Sequence, residues 1–151
     1  MIIDYNPKYA QDFKELNIEW LETFFYVEDY DNEVLSNPDT YILNKGGKIF
    51  FIMHDNKVAG TVALMKVTNS VFELTKMAVN TNLRGLKLGQ KLMTHCLNEA
   101  KKMGLDKVIL YSNTKLKNAI YIYKKFGFIE VPLEGGVAYK RANIKMEYII
   151  S

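Results

Sequence analysis

Between Val71 and Tyr111 the apolar pattern changes period twice, and that change leaves few architectures open. Val71-Phe72-Glu73-Leu74-Thr75-Lys76-Met77-Ala78-Val79 alternates as a strand does. From about Gly85 to Met103 the apolar residues return at helical spacing. Leu88, Leu92, Met93, Cys96, Leu97 and Ala100 make one face, and Lys87, Lys91, Thr94, Asn98 and Lys101 lie opposite. Gly104 ends that helix. Val108-Ile109-Leu110-Tyr111 is continuously apolar, as a strand covered on both faces must be. A strand-helix-strand unit over 71–112 therefore predicts a central sheet with a helix laid against it.

The flanking segments extend that plan. Ile2-Ile3-Asp4-Tyr5 reads as a short strand, and Asn6-Pro7 as a cap followed by proline at the first helical position. Tyr9, Phe13, Leu16, Trp20 and Phe24 then predict a helix over about 7–24. Residues 25–39 are aromatic and acidic and suit a second short helix ending before Pro38. Ile49 to His54 and Val58 to Val67 are strands joined by the turn Asp55-Asn56-Lys57. Leu116, Ala119, Ile120 and Tyr123 mark a further helix up to Gly127, and Phe128 to Val131 and Ile144 to Ile150 two final strands. The expected fold is α/β, in the order β-α-α-β-β-β-α-β-α-β-β. Its sheet is mixed and mostly antiparallel, with about seven strands and helices on both faces.

Length and composition narrow the function classes. At 151 residues the chain suits one domain, 1–151, able to bury a core without staples. A single cysteine, Cys96, and two histidines, His54 and His95, leave nothing for a cysteine or histidine metal cluster, so no metal is expected. The longest apolar run, Ile49 to Met53, is far shorter than the ~20 residues a membrane helix needs. The start, Met1-Ile2-Ile3-Asp4, lacks a basic, apolar leader, so the expectation is a soluble cytoplasmic protein. A net charge of +3 from scattered basic residues, with no polybasic run, does not indicate nucleic acid, and the short apolar runs leave no membrane partner expected.

The segment Val79-Asn80-Thr81-Asn82-Leu83-Arg84-Gly85-Leu86-Lys87-Leu88-Gly89-Gln90 joins a strand to a helix. The first turn of a helix carries unpaired N–H groups and a partial positive charge, which together bind phosphate oxygens. Gly85 allows a tight turn or close approach of a ligand, and Gly89 keeps a side chain away from the first helical turn. Neither the G-x-x-x-x-G-K-[ST] nor the G-x-G-x-x-G nucleotide motif is present. On the loop alone, two glycines serving only packing explain it equally well.

Here the chain resembles the GNAT superfamily, the acyl-CoA-dependent N-acetyltransferases, whose signature is [QR]-x-x-G-x-[GA] after a strand ending in valine. Arg84-Gly85-Leu86-Lys87-Leu88-Gly89 matches its first and last positions, with Lys87 in place of the middle glycine. Glu73 to Val79 is similar to the family's acidic fourth strand. Ala119-Ile120-Tyr121-Ile122-Tyr123-Lys124-Lys125-Phe126-Gly127-Phe128 is similar to its A-I-x-L-Y-x-K-x-G-F helix and turn. Tyr139 to Glu147 resembles the closing segment of its small bacterial members. The resemblance implies acetyl-CoA as co-substrate between splayed fourth and fifth strands. The pyrophosphate would rest on backbone N–H groups of Arg84, Gly85, Leu86, Lys87, Leu88, Gly89 and Gln90. The pantetheine arm would pair with the backbone of Met77, Ala78 and Val79. It leaves room for a homodimer, since final strands in this family often pair or swap.

Acetylating an amine requires a neutral nitrogen, and a lysine-like amine with pKa ~10.4 is almost wholly protonated at pH 7. A base must take that proton, a donor must meet the thioester oxygen, and an acid helps the thiolate leave. Glu73 matches the position of the family's basic glutamate, six residues before the valine, and a surface strand glutamate is the plain alternative. Strict alternation puts Glu73, Thr75, Met77 and Val79 on one face. Tyr123 matches the family tyrosine near the thioester sulfur, against a plain core role. The thioester oxygen would take a backbone N–H near Met77 or Ala78. The family asparagine seven residues before the tyrosine is Leu116 here; Asn113, at the end of the fifth strand, takes over its cofactor-binding role by hydrogen-bonding the cofactor arm, or merely caps the helix.

On the acceptor side, residues 20–31 mix aromatics (Trp20, Phe24, Phe25, Tyr26, Tyr30) with the carboxylates Glu22, Glu28, Asp29 and Asp31. They suit a cationic amine, or serve only as helix caps. The loop from Pro132 to Ala142, with Gly135, Gly136 and Tyr139, is a lid or a plain connection. His54 and His95 are expected in solvent and Cys96 in an inert core. The expected function is acetyl transfer from acetyl-CoA to a primary amine of a small molecule or peptide, by direct attack in a ternary complex. A non-catalytic acyl-CoA-binding or sensing module on the same fold is the alternative.

Overall fold

A computed structural model describes residues 1–83, 85–135 and 140–150. A short 3-10 turn at Pro7–Tyr9 opens on Asn6, whose side chain accepts from the Lys8 N–H at 3.0 Å. It leads from β1 (Ile2–Asp4) into α1 (Ala10–Phe24), with α2 (Asp29–Ser36) and α3 (Pro38–Tyr41) following. Then come β2 (Lys48–His54), β3 (Lys57–Lys66), β4 (Val71–Val79), α4 (Leu88–Lys102), β5 (Lys107–Ser112), α5 (Lys117–Phe126), β6 (Ile129–Val131) and β7 (Ile144–Ile149). The seven strands form one sheet in the order β1-β2-β3-β4-β5-β7-β6. Every pairing is antiparallel except β4–β5.

Both faces of the sheet are covered, which explains the unbroken apolar runs of β2 and β3. In β2, Phe50 and Ile52 turn toward α4 and join Val62, Leu64, Leu92 and Cys96. Ile49 and Phe51 turn the other way and join Phe13, Leu21, Val34 and Ile42 under α1–α3. The β2–β3 turn is a two-residue one in which Asp55 (φ 51°) and Asn56 (φ 64°) are both left-handed. That geometry matches the right-handed twist of a hairpin and favours Asn and Asp.

Two features shape the middle of the sheet. First, β4 and β5 pair only over Val71–Glu73 and Lys107–Ile109. Beyond those rungs the two strands separate, and no strand among the described residues pairs with that edge of Met77–Val79. Second, β4 carries a bulge. Ala63 faces Thr75 but Thr61 faces Ala78, so β4 has one extra residue between these rungs. Lys76 sits there with φ 54°. A bulge reverses the side-chain alternation beyond it. Phe72 and Leu74 lie with the α4 core, and so do Met77 and Val79. The expectation that Glu73 and Met77 share a face is therefore corrected: regular alternation ends at Lys76.

The helix after β4 begins at Leu88 rather than near Gly85. Gly85 (φ 90°) and Lys87 (φ 57°, ψ 34°) are both left-handed, so no right-handed helix can pass through them.

Candidate functional site

The gap between β4 and β5 opens into a cleft that passes through the sheet. On the α4–α5 side its wall is Leu74, Met77, Leu110, Ser112 and Tyr123. On the other side it is Asn17, Trp20 and Leu21 of α1, then Phe25, Thr75 and Tyr111, with Arg141 from the closing segment. Asn17 is held by its own helix, donating to the Phe13 carbonyl at 3.0 Å. Trp20 packs at a tilt against Phe24 and Phe25, with centroids 5.3 and 5.7 Å apart. Lys115 pins this corner to the start of α5: its Nζ donates to the Phe24 carbonyl at 2.6 Å and lies 3.9 Å from the Phe25 ring centre.

Tyr123 stands on the apolar side of α5, edge-on to Phe128 at 6.1 Å. Burial pushes its hydroxyl above the ordinary tyrosine value, against an opposing hydrogen bond with Ser112. It stays protonated at neutral pH, and the residue lines the cleft. Glu73 occupies the last β4–β5 rung, opposite Ile109, and is not among the cleft's lining residues. Its charge is felt on the other side of the sheet from Tyr123, by Tyr30, Lys76 and Tyr111. The two residues thus flank the gap, with Glu73 set back by one rung.

Asn113 lines the cleft, but its side chain is engaged within the chain. It donates to the Arg141 carbonyl at 2.7 Å and accepts from the Lys115 N–H at 2.9 Å. It ties β5 to the closing segment and does not cap α5, whose N-cap is Leu116 without a side-chain bond.

At the far end of β4, the first turn of α4 presents the N–H groups of Leu88, Gly89 and Gln90. Its N-cap Lys87 makes no side-chain capping bond. Gly85, Leu86 and Lys87 form the turn that leads into it. A Cβ placed on Gly85 would meet nothing within 4 Å, and one on Gly89 only Val79 Cγ2 at 3.9 Å. Packing does not require glycine at either position. Arg84 lies outside the described residues, as do Gly136 and Tyr139 of the late loop. The described start of that loop is held at Glu134, which accepts from Tyr111 and, at 3.0 Å, from Lys145. These hydrogen bonds pull the Glu134 carboxyl down to about 2.

The largest departure from the sequence reading is an ionic network beside the cleft. The Asp31 carboxylate is fully buried. It takes a forked pair of bonds from Arg141, 2.6 and 2.9 Å, and one from Lys76 at 3.2 Å. Arg141 also reaches Glu28 at 2.9 Å. Burial raises the Asp31 pKa, but the Arg141 hydrogen bond and the Lys76 charge outweigh it and hold the carboxyl below its ordinary value. Burial lowers Lys76, and Asp31 opposes that shift. Asp31 still serves as a helix-start residue, accepting from the Glu28 N–H at 3.0 Å. The network answers one question left open by the sequence: Glu28 and Asp31 cap α2 and also neutralise two cations. Lys76 carried a readable signal. A lysine in the apolar register of an alternating strand, in step with Phe72, Leu74 and Ala78, needs a buried carboxylate partner. The sequence does not say which carboxylate.

His95 also departs from expectation. It packs edge-on against Phe50 at 4.5 Å, with Glu99 3.7 Å from its Nε2. His54 closes β2 beside Asp55 at 3.5 Å and is partly exposed. Cys96 is buried, and burial pushes its thiol far up, which makes it inert. Among the described residues no group of three or more His, Cys, Asp or Glu side chains is placed to hold a metal, and no helix is long and apolar enough to cross a membrane.

A sequence model of the acetyltransferase (GNAT) family matches residues 10–128. An uncharacterised N-acetyltransferase of Schizosaccharomyces pombe is 30% identical over 81% of this chain and 77% of its own length. The crystal structure of a GNAT-family acetyltransferase from Staphylococcus aureus Mu50 superimposes with a TM-score of 0.89 at 24% identity, covering 100% of this chain and 99% of that one. The PaiA N-acetyltransferase of Thermoplasma acidophilum, solved in complex with coenzyme A, superimposes with a TM-score of 0.75 at 17% identity, covering 99% and 98%.

Proposed function

This chain belongs to the acetyltransferase (GNAT) family, and on that premise we propose that residues 1–151 act as one catalytic domain moving an acetyl group from acetyl-CoA to a primary amine. The observation that carries the reading is the separation of β4 and β5 beyond Glu73, in line with an uncapped helix start at Leu88. The open edge of Met77, Ala78 and Val79 suits a pantetheine arm bound like an added strand. The amides of Gly85 to Gln90 suit the pyrophosphate, and the bare α-carbons of Gly85 and Gly89 leave room for it. The coenzyme A complex of the Thermoplasma neighbour supports this class of donor.

The acceptor, a small-molecule or peptide amine, enters from the α1–α2 side. Its nitrogen attacks the thioester carbonyl carbon, a C–N bond forms and the C–S bond breaks. The amine proton passes to Glu73 through water, because Glu73 stands one rung behind the cleft wall. A backbone N–H near Met77 or Ala78 meets the carbonyl oxygen. Tyr123 protonates the departing thiolate and recovers its proton from solvent.

The test is a thermal shift with acetyl-CoA, CoA and ATP, followed by CoA release with an amine panel. A ligand at 100 times its Kd adds ~2.7 kcal/mol, which raises Tm by several degrees in a chain of this size. A shift with both CoA species and not with ATP, then amine-dependent CoA release, supports the reading. Absence of any shift removes the cofactor platform and the assigned catalytic roles with it.

A further inference from the structure

The C-terminal end of α1 carries more aromatic surface than the core takes up. Phe13 and Leu21 are buried beneath the sheet, and Trp20 packs on the rim of that core. Phe25, at the helix end, belongs to neither apolar core, and neither does Leu116 before α5. Trp20, Phe25 and Leu116 are half-buried, and all three line the cleft. Large apolar side chains that the core does not use, gathered at one cleft, are the usual lining for the apolar part of a ligand.

This wall is held in shape before anything binds. The Trp20 and Phe25 rings are inclined at 38° with centroids 5.7 Å apart. Lys115 fixes the second ring, its Nζ lying 3.9 Å from the ring centre while it donates to the Phe24 carbonyl at 2.6 Å. The charged groups of the cleft are already engaged with one another's partners: Lys76 with Asp31, and Arg141 with Asp31 and Glu28. No Asp or Glu is among the described lining residues, so a second ammonium on the acceptor would find no carboxylate there. An apolar wall also disfavours the ammonium form of the reacting nitrogen, which must be neutral to attack.

We propose that the acceptor is a primary amine joined by a short chain to an aromatic ring, and that the ring packs against Trp20 and Phe25. The inference rests on the acetyl-transfer reading above. A free arylalkylamine and a peptide whose first residue is aromatic share this chemistry, with the same two carbons between nitrogen and ring.

The test measures CoA release by the full chain with two matched pairs that differ by the ring alone. They are phenethylamine against ethylamine, and Phe-Gly-Gly-amide against Ala-Gly-Gly-amide. Cadaverine and spermidine serve as polycations. Burying a phenyl ring is worth about tenfold or more in binding, so kcat/KM should be at least about tenfold higher for the ring-bearing member of one pair or both. The pair that shows the preference names the source. Phe25→Ala should cut the preference to about threefold or less, mainly through KM; where that variant does not fold, the wild-type ratio decides by itself. A smaller ratio in both pairs overturns the proposal. So does a polycation used as well as the better ring-bearing acceptor, or a preference kept in full by folded Phe25→Ala. If no amine turns over, calorimetry with CoA present compares N-acetylphenethylamine with N-ethylacetamide, and the two N-acetylated peptides with each other. At least about tenfold tighter binding of a ring-bearing form supports the proposal. A smaller difference, or no binding while CoA binds, overturns it. Failure of CoA itself to bind strikes the acetyl-transfer reading, and the aromatic slot falls with it.

Discussion

Gly89→Ala separates a glycine kept for a ligand from one kept for packing. Gly89 is the second residue of α4, and a Cβ there would meet only Val79 Cγ2, at 3.9 Å. That is ordinary van der Waals contact, so the folded chain accepts the methyl without moving. Alanine in a helix is better than glycine by roughly 0.5–1 kcal/mol, and near the end of a helix the gain sits toward the lower figure. For a chain of this size ~0.5 kcal/mol is a rise of about 1–2 °C in Tm. Binding of CoA goes the other way. If the first-turn amides hold the pyrophosphate, the new methyl stands between phosphate and backbone. Loss of one charge-assisted hydrogen bond costs about 1.5–3 kcal/mol, a tenfold to hundredfold rise in Kd. Differential scanning fluorimetry gives the first quantity and isothermal titration calorimetry with CoA the second. A variant that is more stable and binds CoA as tightly as the wild type would refute the phosphate role of this turn. A variant that is less stable would refute the packing argument.

Three other outcomes follow from the same geometry. Lys87 is left-handed at the position where the family signature has glycine, a conformation costing a side chain roughly 1–2 kcal/mol. Lys87→Gly should therefore raise Tm by a few degrees, and a fall would mean that the lysine side chain makes a compensating contact. Asp31→Asn leaves two cations facing an uncharged amide, and breaking a buried pair in this way costs about 3–5 kcal/mol in urea unfolding. The pH dependence has a definite sign. The folded Asp31 pKa is depressed, so its contribution is whole above the unfolded value of ~3.9 and fades as pH falls through the lower folded value. The gap between wild type and Asp31→Asn should be constant near neutrality and close below about pH 4; a gap independent of pH would remove Asp31 from the acid response. Tyr123→Phe should lower kcat by about a hundredfold or more with little change in the Kd for CoA, and an unchanged kcat in single-turnover assays would take Tyr123 out of the reaction.

Much of this architecture could be read from local pattern. The strands β2 to β5 and the helices α1, α4 and α5 lie within a few residues of where apolar period and punctuation predicted them. Period, caps and turn residues act over a few neighbours, and those neighbours are written in the chain. The helix start was misread by three residues because Lys87 takes a left-handed conformation that glycine ordinarily supplies. The α2 carboxylates were read as caps or as an amine site. They proved to be caps that also bind Arg141 and Lys76, 110 and 45 residues away.

By itself the sequence determined the alternation of elements, the two-sided apolar strands and the glycine-bearing turn before α4. Each of these follows from side-chain period and backbone freedom over a dozen residues or fewer. Only the tertiary structure decided where β4 and β5 part, that the bulge at Lys76 breaks the alternation, and that Asp31 is the carboxylate that pairs with both Arg141 and Lys76. Those outcomes depend on register between strands and on ion pairs closed across the fold. Coulombic and hydrogen-bonding partners of that kind are selected by position in space, which spacing along the chain does not encode.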